Sequence, residues 1–343
     1  MANAPLFSVV IPTYNRALKL QRAVRSVEAQ SFSDYEIIIV DDGSSDSTGT
    51  FLDTIRSEKK TALRNIKNSG VSAARNNGVA VAKGEYVVFL DDDDVLRPNA
   101  LAALEALYKL EPTPDFMWGG RKVHQMDSGG LDVHTREDDW STISQPLRGT
   151  QFLPFVLEIA TNSAFAIRRT LFLEIGGFDE QLMVSEDRDL FVRLAEGGFT
   201  GRISANTIID VDEHFSDSLS RNRGFRVGPT LDLRVIEKHR EYLERPEHRD
   251  FLTRYLLAVF SGFLSVGDRQ SAARIFRELG KRHRVSLSIV RSYLRYAPEF
   301  RALRALLRHS IIRRLTGGTS VAAQSRVSNK VEEGVENAKR VQK

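Results

Sequence analysis

The stretch VVFLDDDDVLRP, residues 87–98, passes directly from four apolar residues into four consecutive aspartates, Asp91 to Asp94. Adjacent carboxylates repel one another by roughly 1 kcal/mol per close pair in water, and by more where neighbouring protein lowers the dielectric. Such a run either lies in a solvated loop, where the repulsion is tolerable, or supplies ligands to a cation. The apolar residues before it predict a buried β-strand.

Strand and helix patterns alternate on the N-terminal side of this stretch and continue after it. Apolar runs of strand type occur at 6–11, 35–40, 63–66 and 85–90. Apolar residues at helical spacing fill the intervals, as with Leu20, Val24 and Val27, and Pro98 is well placed to open a further helix. Continuous apolar strands separated by helices are typical of a parallel sheet buried on both faces. The first 110 residues therefore predict a doubly wound α/β sheet.

In the rest of the chain, the pattern of apolar residues changes from strand type to helical type. Further strand patterns occur at 115–123, 163–169 and 201–210, with a turn at 127–130. From about residue 230 the apolar spacing is helical, and the final segment is rich in Ser, Gly, Lys and Glu, a composition typical of disorder. We therefore predict an α/β domain over 1–225, with halves at about 1–110 and 111–225, a helical region over 226–315 and a disordered tail over 316–343.

Composition indicates a globular protein with an uneven charge. Of 343 residues, 41% are hydrophobic and none is Cys, so we expect no disulfide and no thiolate metal site. There is no run of about 18 apolar residues and no export signal at the N-terminus, so we expect a cytoplasmic protein. Residues 281–315 hold ten Lys or Arg and one Glu, a charge of +9, so the net charge of +4 leaves −5 for the remainder.

The basic segment 281–315 has two interpretations. Its apolar stripe would let it pack on the protein as a helix with its arginines in solvent; the stripe consists of Leu303, Leu306, Leu307 and Ile311. Alternatively, it lies on the anionic inner face of a membrane, where a lipid-linked substrate would be found. No nucleic-acid recognition motif accompanies the charge, so we expect no nucleic-acid partner. The oligomeric state is not indicated.

Three polar clusters follow predicted strands: PTYNR (12–16), DDGSSDST (41–48) and DDDD (91–94). Ligands of open α/β sheets bind outside the carboxyl ends of the strands, so parallel strands would bring these clusters together. Each cluster also has a structural interpretation, since Asp46 or Ser47 could cap the next helix and DDGSSD is favourable turn chemistry. The glycine patterns of phosphate-binding loops are absent. An acidic rim would bind a phosphorylated ligand through a divalent cation, Mg²⁺ or Mn²⁺.

Five segments in order resemble glycosyltransferase family 2, the inverting nucleotide-sugar enzymes of GT-A fold. They are VVIPTYNR, IIIVDDGSSDST, NSGVSAARNNGVAVAKGEYVVFLDDDD, IGGFDE and SEDRDLFVRLAEGG, spread over residues 6 to about 220. One such motif is weak evidence, whereas five in the family's order and spacing are strong. The resemblance implies a GT-A type, doubly wound, mostly parallel sheet followed by a C-terminal α-helical region, a nucleotide-sugar donor and a divalent metal.

In the family, the loop after the first strand and the aspartate pair after the second hold the nucleotide, which here implies Thr13, Tyr14, Asp41 and Asp42. Asp42 would accept a hydrogen bond from a base N–H, which favours a uracil or thymine nucleotide. Arg75, in the AARNNG motif, would lie near the nucleotide. The alternatives are a packed surface aromatic for Tyr14 and an ordinary exposed helix residue for Arg75.

The metal motif of the family is DxD, and LDDDD offers two registers. Aligning the end of the apolar strand with the family makes Asp93 the main metal ligand, with Asp91 and Asp92 toward the ribose and phosphates and Asp94 as an acid that often follows. One sequence does not fix this register, and Asp91 with Asp93 is the preferred metal pair. His214 is similar to a histidine that some members place near the metal or diphosphate, although a lone histidine is more often structural.

The catalytic base of the family is the second acid of an ED pair, which implies Asp187 in SEDRDL. A positioned carboxylate would take the proton of an acceptor hydroxyl as it attacks the anomeric carbon opposite the leaving diphosphate. The competing interpretation is structural, because Ser185 as an N-cap with Glu186 and Asp187 in the first turn is a good helix start. Both roles can coexist, so we assign Asp187 as the base.

These placements predict a metal-dependent, single-displacement inverting glycosyltransferase that moves a sugar from a UDP- or dTDP-sugar to a hydroxyl group. We expect a glycan or lipid-linked acceptor in cell-surface polysaccharide synthesis. The segment 121–160, with its acidic run REDDW (136–140), departs from a minimal family member and is expected to form part of the acceptor site. Two alternatives remain: a nucleotidyltransferase, although PTYNR is not its basic glycine-rich loop, and a non-catalytic nucleotide-sugar-binding protein of the same fold.

Overall fold

The apolar segments of the sequence form the strands of one mixed sheet. In a computed structural model of the chain, the described residues are 4–55, 57–126, 132–138, 140, 143, 145–157, 164–214 and 224–282. The strands in this part are β1 (Phe7–Thr13), β2 (Tyr35–Asp41), β3 (Lys60–Arg64), β4 (Tyr86–Phe89), β5 (Val95–Leu96), β6 (Phe116–Met126), β7 (Asp132–Glu137), β8 (Leu147–Arg148), β9 (Phe165–Arg168) and β10 (Thr200–His214). They follow the order β3-β2-β1-β4-β9-β6-β10-β5, with β7 beside β6 and β8 beside β10.

Helices connect these strands and then continue alone. They are α1 (Ala17–Glu28), α2 (Thr48–Thr54), α3 (Val71–Val81), α4 (Ala100–Tyr108), α5 (Leu153–Val156), α6 (Arg169–Glu174), α7 (Glu186–Glu196), α8 (Gly224–Lys238), α9 (Arg240–Leu243), α10 (Arg249–Ser265) and α11 (Arg269–Arg282). Short 3₁₀ turns occur at Gly149–Gln151 and Pro246–His248. The predicted order of an α/β part followed by a helical part is confirmed.

The predicted parallel arrangement holds at the centre of the sheet. β1 pairs in parallel with β2 and β4, β2 pairs in parallel with β3, and β6 does so with β10. β9 runs antiparallel between β4 and β6, so the sheet is mixed but mostly parallel. Parallel strands end at the same edge, so the loops after β1, β2 and β4 lie together.

Helices cover both faces of this sheet, as a doubly wound fold requires. Val9 on β1 belongs to one buried core with Leu20 on α1 and Leu104 on α4. The next residue of the strand, Val10, points to the opposite face, where α3 packs. Gly78 permits this close approach, because a Cβ on Gly78 would lie only 2.5 Å from Val10 Cγ1.

Several boundaries differ from the predictions for local reasons. The strand predicted at 63–66 ends at Arg64, and Ile66 is fully exposed in the loop beyond it. Helix α4 begins two residues after Pro98, with Asn99 at its N-cap. β5 was not predicted, because two residues carry no periodicity, and it pairs antiparallel with the last strand, β10. The predicted turn at 127–130 lies outside the described residues.

Helices α8 to α11 form the predicted C-terminal helical region. The middle helix α10 contacts both α8 and α11 and buries an apolar face that includes Leu256 and Val259. Within the described residues, no helix is long and apolar enough to cross a membrane. The described residues belong to one compact unit, and a domain boundary near 225 stays a prediction. The basic segment from residue 283 onward and the tail 316–343 lie outside the described residues.

Candidate active site

Three loops meet at the carboxyl edge of the sheet, as the sequence predicts. The Thr13 hydroxyl at the end of β1 donates to Asp92 Oδ2 at 2.6 Å. The backbone N–H of Asp42, directly after β2, donates to the Thr13 carbonyl oxygen at 2.9 Å. Thr13 therefore connects both acidic clusters.

Asn15 holds the loop after β2 against the loop after β1. Its side-chain oxygen accepts hydrogen bonds from the backbone N–H groups of Ser45 (2.7 Å) and Asp46 (3.3 Å). Gly43 in this loop has a φ of +81°, and a Cβ there would lie 2.8 Å from the backbone carbon of Lys67. Only glycine fits such a position, so DDGSSD is a structural turn as well as an acidic cluster.

The capping interpretation of this loop is correct for Asp46 alone. Asp46 Oδ1 accepts from the N–H of Thr48 at 2.9 Å, and Oδ2 accepts from the N–H of Ala17 at 3.2 Å. Asp46 thus joins the first residues of α2 and α1. Ser47 stands at the N-cap position of α2, but its side chain makes no capping hydrogen bond.

Asp41 and Asp42 are both buried, and Asp42 fixes the loop that follows β3. The Asp42 carboxylate accepts from the backbone N–H groups of Ser69 (3.0 Å) and Gly70 (2.8 Å) and from the side-chain amide of Asn65 (2.8 Å). These bonds engage both carboxylate oxygens. The structure therefore gives Asp42 a positioning role, and its contact with a base stays a prediction.

We expect Asp42→Ala to lower stability by about 2 kcal/mol, because hydrogen bonds to a charged acceptor contribute about 1.5–3 kcal/mol each and part of this loop is solvated. Thermal unfolding measures the loss, and a nucleotide titration shows whether affinity falls with it. Asp53→Ala is the matched control, since Asp53 pairs with Arg64 on the exposed surface, where such pairs contribute little. Equal unfolding midpoints for the two variants would disprove this role.

The four aspartates after β4 alternate in exposure. The side chains of Asp91 and Asp93 are 31% and 25% exposed, whereas Asp92 and Asp94 are buried. Burial and repulsion from Asp93 raise the pKa of Asp92 to about 6, although Arg16 opposes the shift. The acid run therefore presents Asp91 and Asp93 outward and turns the other two inward.

Two cations near the start of α1 offset part of this charge. Arg16 Nη1 lies 3.1 Å from Asp92 Oδ1 and 2.8 Å from Asp93 Oδ2, and Lys19 Nζ lies 3.9 Å from Asp93 Oδ2. Partial burial and repulsion from Asp91 still raise the pKa of Asp93. Arg16 ends the PTYNR motif, but its pairing with Asp92 and Asp93 could not be predicted, because one sequence does not show where a side chain points.

The acid run has the donor atoms for a metal ion but not a closed set of ligands. Carboxylate oxygens suit Mg²⁺ and Mn²⁺, and Asp91 and Asp93 present them outward. In the part of the chain that the structure describes, no group of three or more His, Cys, Asp or Glu residues could hold a metal ion. Mg²⁺ is often held by one or two carboxylates together with substrate phosphates. The residues therefore fit a cation shared with a phosphorylated ligand.

Arg75 is buried and joins the acid run to helix α7. Its Nη2 donates to Asp91 Oδ1 at 2.6 Å, and its Nη1 donates to Glu186 Oε1 at 2.8 Å. The guanidinium lies over the Phe178 ring, 5.4 Å from the centroid. Burial lowers the pKa of Arg75, but the two carboxylates more than offset this and the net shift is upward. The interpretation of Arg75 as an exposed helix residue is therefore wrong.

Helix α7 begins at the predicted ED pair without a side-chain cap. Ser185 occupies the N-cap position with a φ of +68°, and its side chain makes no capping hydrogen bond. The structural interpretation is therefore correct for the N-cap position of Ser185 and for Glu186 and Asp187 in the first turn, but the Ser185 side chain does not cap the helix. A non-glycine residue in this left-handed region costs of order 1–3 kcal/mol, and such strain clusters at functional sites.

Both acids of the ED pair are buried near Arg75. Burial and the charge of Asp187 raise the pKa of Glu186 to about 7, while Arg75 opposes the shift. Burial also raises the pKa of Asp187, against the charges of Arg188 and Arg75. Buried acids with raised pKa values beside a buried cation are typical of active sites.

The other predicted residues are less closely connected to this edge. Tyr14 is 44% exposed, which leaves its ring accessible to a ligand. His214 is the last residue of β10, and its side chain lies outside the described residues. In the acidic run 136–140, Asp138 pairs with Arg121 on β6 at 2.5 Å. That run is thus bound to the sheet, and its part in an acceptor site stays a prediction.

Known sequences match the N-terminal part of the chain. Residues 8–176 match the family described as "Glycosyl transferase family 2". An "Uncharacterized glycosyltransferase" of Haemophilus influenzae is 27% identical over 195 residues, which cover 56% of this chain and 62% of that protein. The "GalNAc(5)-diNAcBac-PP-undecaprenol beta-1,3-glucosyltransferase" of Campylobacter jejuni is 41% identical over 103 residues, 29% of this chain and 33% of that protein. Each match spans less than two thirds of the relative's own length.

Solved structures include proteins with a similar fold. The crystal structure of S. aureus TarS 1-349 in complex with UDP-GlcNAc superposes with a TM-score of 0.52 at 18% identity, covering 79% of this chain and 89% of that chain. At this level of identity the likeness concerns the fold alone. It confirms the predicted fold class.

Proposed function

Because this chain belongs to glycosyltransferase family 2 through residues 8–176, we propose that it transfers a sugar from a nucleotide-diphosphate sugar to a hydroxyl acceptor with inversion. UDP- or dTDP-sugars are the favoured donors. TarS, a protein of similar fold, binds UDP-GlcNAc in its crystal structure, and we propose a donor of the same class for this chain.

One buried side chain supports this proposal most directly. Arg75 binds Asp91, the first acid after β4, and Glu186, the neighbour of the expected base Asp187. Transfer in one step requires the reacting atoms to approach to about 3–3.5 Å, so the donor site and the base must be neighbours. The Arg75 bridge keeps the acid run and the start of α7 at the same edge of the sheet.

On the donor side, the outward acids would face the diphosphate. The alternation in exposure favours the register in which Asp91 and Asp93 hold the cation. Asp92 would then have a supporting role, since its carboxylate accepts a hydrogen bond from Thr13. The nucleotide would lie over the loops that contain Thr13, Tyr14, Asp41 and Asp42, with His214 near the diphosphate. A divalent ion, Mn²⁺ or Mg²⁺, would neutralise the leaving diphosphate as a Lewis acid.

On the acceptor side, Asp187 would take the proton of the attacking hydroxyl. The acceptor oxygen then bonds to the anomeric carbon as the bond to the diphosphate breaks, so no covalent enzyme intermediate forms. A raised pKa suits this role, because a base is most effective when its pKa approaches the working pH. Glu186, bound to Arg75, would hold the start of α7 in place.

We propose a glycan or lipid-linked acceptor in cell-surface polysaccharide synthesis. The C. jejuni relative supports this class, since its name contains an undecaprenol-linked glycan. The segment 121–160 would form part of the acceptor site, and the basic segment 281–315 would bring the protein to the anionic inner face of a membrane. The catalytic domain would then end near 225, with 226–315 as the accessory helical region.

Release of UDP from UDP-sugars, with and without Mn²⁺, tests the proposal. We expect turnover with Mn²⁺ and a loss of at least about 10²-fold on chelation, because several kcal/mol of leaving-group stabilisation disappear. Asp93→Ala should show the same loss and weaker Mn²⁺ binding in a metal titration. Asp53→Ala, which removes an exposed acid away from this edge, is the control.

The alternative functions give different results. Pyrophosphate release from a nucleoside triphosphate and a sugar 1-phosphate would identify a nucleotidyltransferase, and binding of a UDP-sugar without turnover would identify a non-catalytic binding protein. Turnover that survives both chelation and Asp93→Ala would contradict the metal assignment.

A further inference from the structure

Helix α8, in the C-terminal helical region, reaches the start of α7 through a buried polar network. Asp232 on α8 accepts from Arg188 Nη1 at 2.5 Å and from the Tyr255 hydroxyl at 3.2 Å. The Arg188 guanidinium also lies over the Tyr255 ring, 5.9 Å from its centroid. Asp232 and Tyr255 are buried, so the pairing of Arg188 is fixed from the side of the helical region.

Two further contacts, from the last residue of α8 and from the residue after it, bind α7 at the residue that follows Arg188. Lys238 Nζ and His239 Nε2 bind the fully buried Asp189 at 2.8 and 2.9 Å. Lys238 also binds Asp179, in the loop that leads to α7, at 2.8 Å. These contacts anchor the backbone of α7. The contact with Asp232, by contrast, fixes the direction of one side chain, that of Arg188.

The direction of Arg188 matters because it follows the expected base in the sequence. Its backbone N–H already donates to Asp187 Oδ1 at 2.8 Å. A guanidinium binds carboxylates strongly, often through two hydrogen bonds. If Arg188 lost its partner on α8, Asp187 would be an adjacent carboxylate for it to bind. Such a pair would occupy the oxygens that the acceptor proton needs.

We propose that Asp232 is a positioning residue that holds the Arg188 guanidinium away from Asp187, so that the Asp187 carboxylate stays available to the acceptor hydroxyl. The inference rests on the proposed role of Asp187 as the base. With this role for Asp232, the C-terminal helical region, which lies outside the residues that match the family, would take part in the reaction.

The charged surroundings of Asp187 determine the expected pH effect. The groups that act on it are Glu186 and Arg188 on α7, Arg75 on α3, Asp232 on α8 and Tyr255 on α10. Neutralising Asp232 removes a repelling charge and frees Arg188, and both changes lower the pKa of Asp187. The rate rises with pH as the base loses its proton, so the acidic limb of the pH profile moves to lower pH.

Asp232→Asn should therefore lower kcat by about 10- to 100-fold, shift the acidic limb down by about one pH unit and leave the donor KM within about two-fold. The double variant Asp232→Asn, Arg188→Gln should recover most of kcat, because the competing cation is gone. A purely structural role for Asp232 predicts the opposite, since the double variant has lost more contacts. Lack of recovery would overturn the inference.

Lys238→Met is the matched control on the same helix. It removes the contacts with Asp179 and Asp189 but leaves the Asp232 pair intact. We expect a lower unfolding temperature and an unmoved acidic limb. If Asp232→Asn does not fold, Tyr255→Phe removes one bond to Asp232 and should shift the limb in the same direction by less; an unmoved limb would then overturn the inference.

A titration of the Asp187 carboxyl carbon by NMR, in protein without donor, separates this inference from the proposed function. A lower Asp187 pKa in Asp232→Asn supports the inference even if the wild type transfers no sugar. An unchanged titration contradicts it. Wild-type kcat in Asp232→Asn, with Asp187→Asn inactive, would reject the inference and leave the proposed function in place.

Discussion

Asp187→Asn is expected to lower sugar transfer by about 10²–10⁴-fold while donor affinity stays within about two-fold. Asparagine keeps the size of the side chain and one acceptor oxygen, but it does not take the acceptor proton. The nucleotide would lie over the loops after β1 and β2, so its binding should not depend on this carboxylate. Single-turnover transfer rates and a calorimetric titration with UDP measure the two quantities.

Glu196→Gln provides the matched control for this substitution. Glu196 is an exposed acid at the far end of α7, where it pairs with His239. The control should transfer sugar within about two-fold of the wild type, because Glu196 is exposed and lies at the opposite end of the helix from Asp187. If Asp187→Asn also transferred sugar at that rate, Asp187 would have only a structural role in the first turn of the helix, and another group would be the base.

Arg75→Met should produce the largest loss of stability, about 3 kcal/mol. Removing one partner of a buried ion pair costs about 3–5 kcal/mol, and the partial exposure of Asp91 places the loss at the lower end. Methionine keeps an apolar contact with Phe178. Chemical denaturation measures the change, and transfer activity should fall even where the protein remains folded, because the acid run and α7 lose their connection.

The loss in Arg75→Met should depend on pH. Glu186 already has a raised pKa of about 7, and without Arg75 its folded-state pKa rises further above its unfolded value. A carboxyl group whose pKa is higher in the folded than in the unfolded protein does not reduce stability at a pH below its unfolded-state pKa. The free energy of unfolding is lost as the pH rises from there through the folded-state pKa. The variant should therefore lose less stability at pH 5 than at pH 8.

Arg64→Met, which breaks an exposed pair with Asp53, controls for the loss of one arginine. Arg75→Lys should recover only part of the stability, since one ammonium group does not reproduce the fork that binds two carboxylates. If Arg75→Met lost the same stability at both pH values, or lost none, the contacts of Arg75 with Asp91 and Glu186 would not stabilise the protein as proposed.

Most of the fold could be predicted because its central strands are short, continuous apolar runs. The segments before PTYNR, DDGSSDST and DDDD are buried over most of their length and pair in parallel, as their sequences indicate. The errors occur where local pattern is weak. β5 has two residues, and the largely exposed edge strand β3 gave a misplaced boundary because Ile66 is apolar but exposed.

The site could be predicted at the level of loops but not of side-chain partners. Parallel strands bring their carboxyl ends together, so the meeting of the three clusters follows from the sequence. The bonds from Arg16 to Asp92, from Arg75 to Glu186 and from Arg188 to Asp232 span 76, 111 and 44 residues. Such contacts depend on where helices pack, which no local pattern in one sequence contains.

The configuration of the released sugar shows whether transfer is a single displacement with Asp187 as the base. Hydrolysis of an α-linked UDP-sugar, followed by ¹H NMR before mutarotation, identifies the first anomer formed. Single displacement with Asp187 as the base predicts the β anomer first, and no hydrolysis above background in Asp187→Asn. Formation of the α anomer first, or equal hydrolysis by the wild type and Asp187→Asn, would contradict this mechanism.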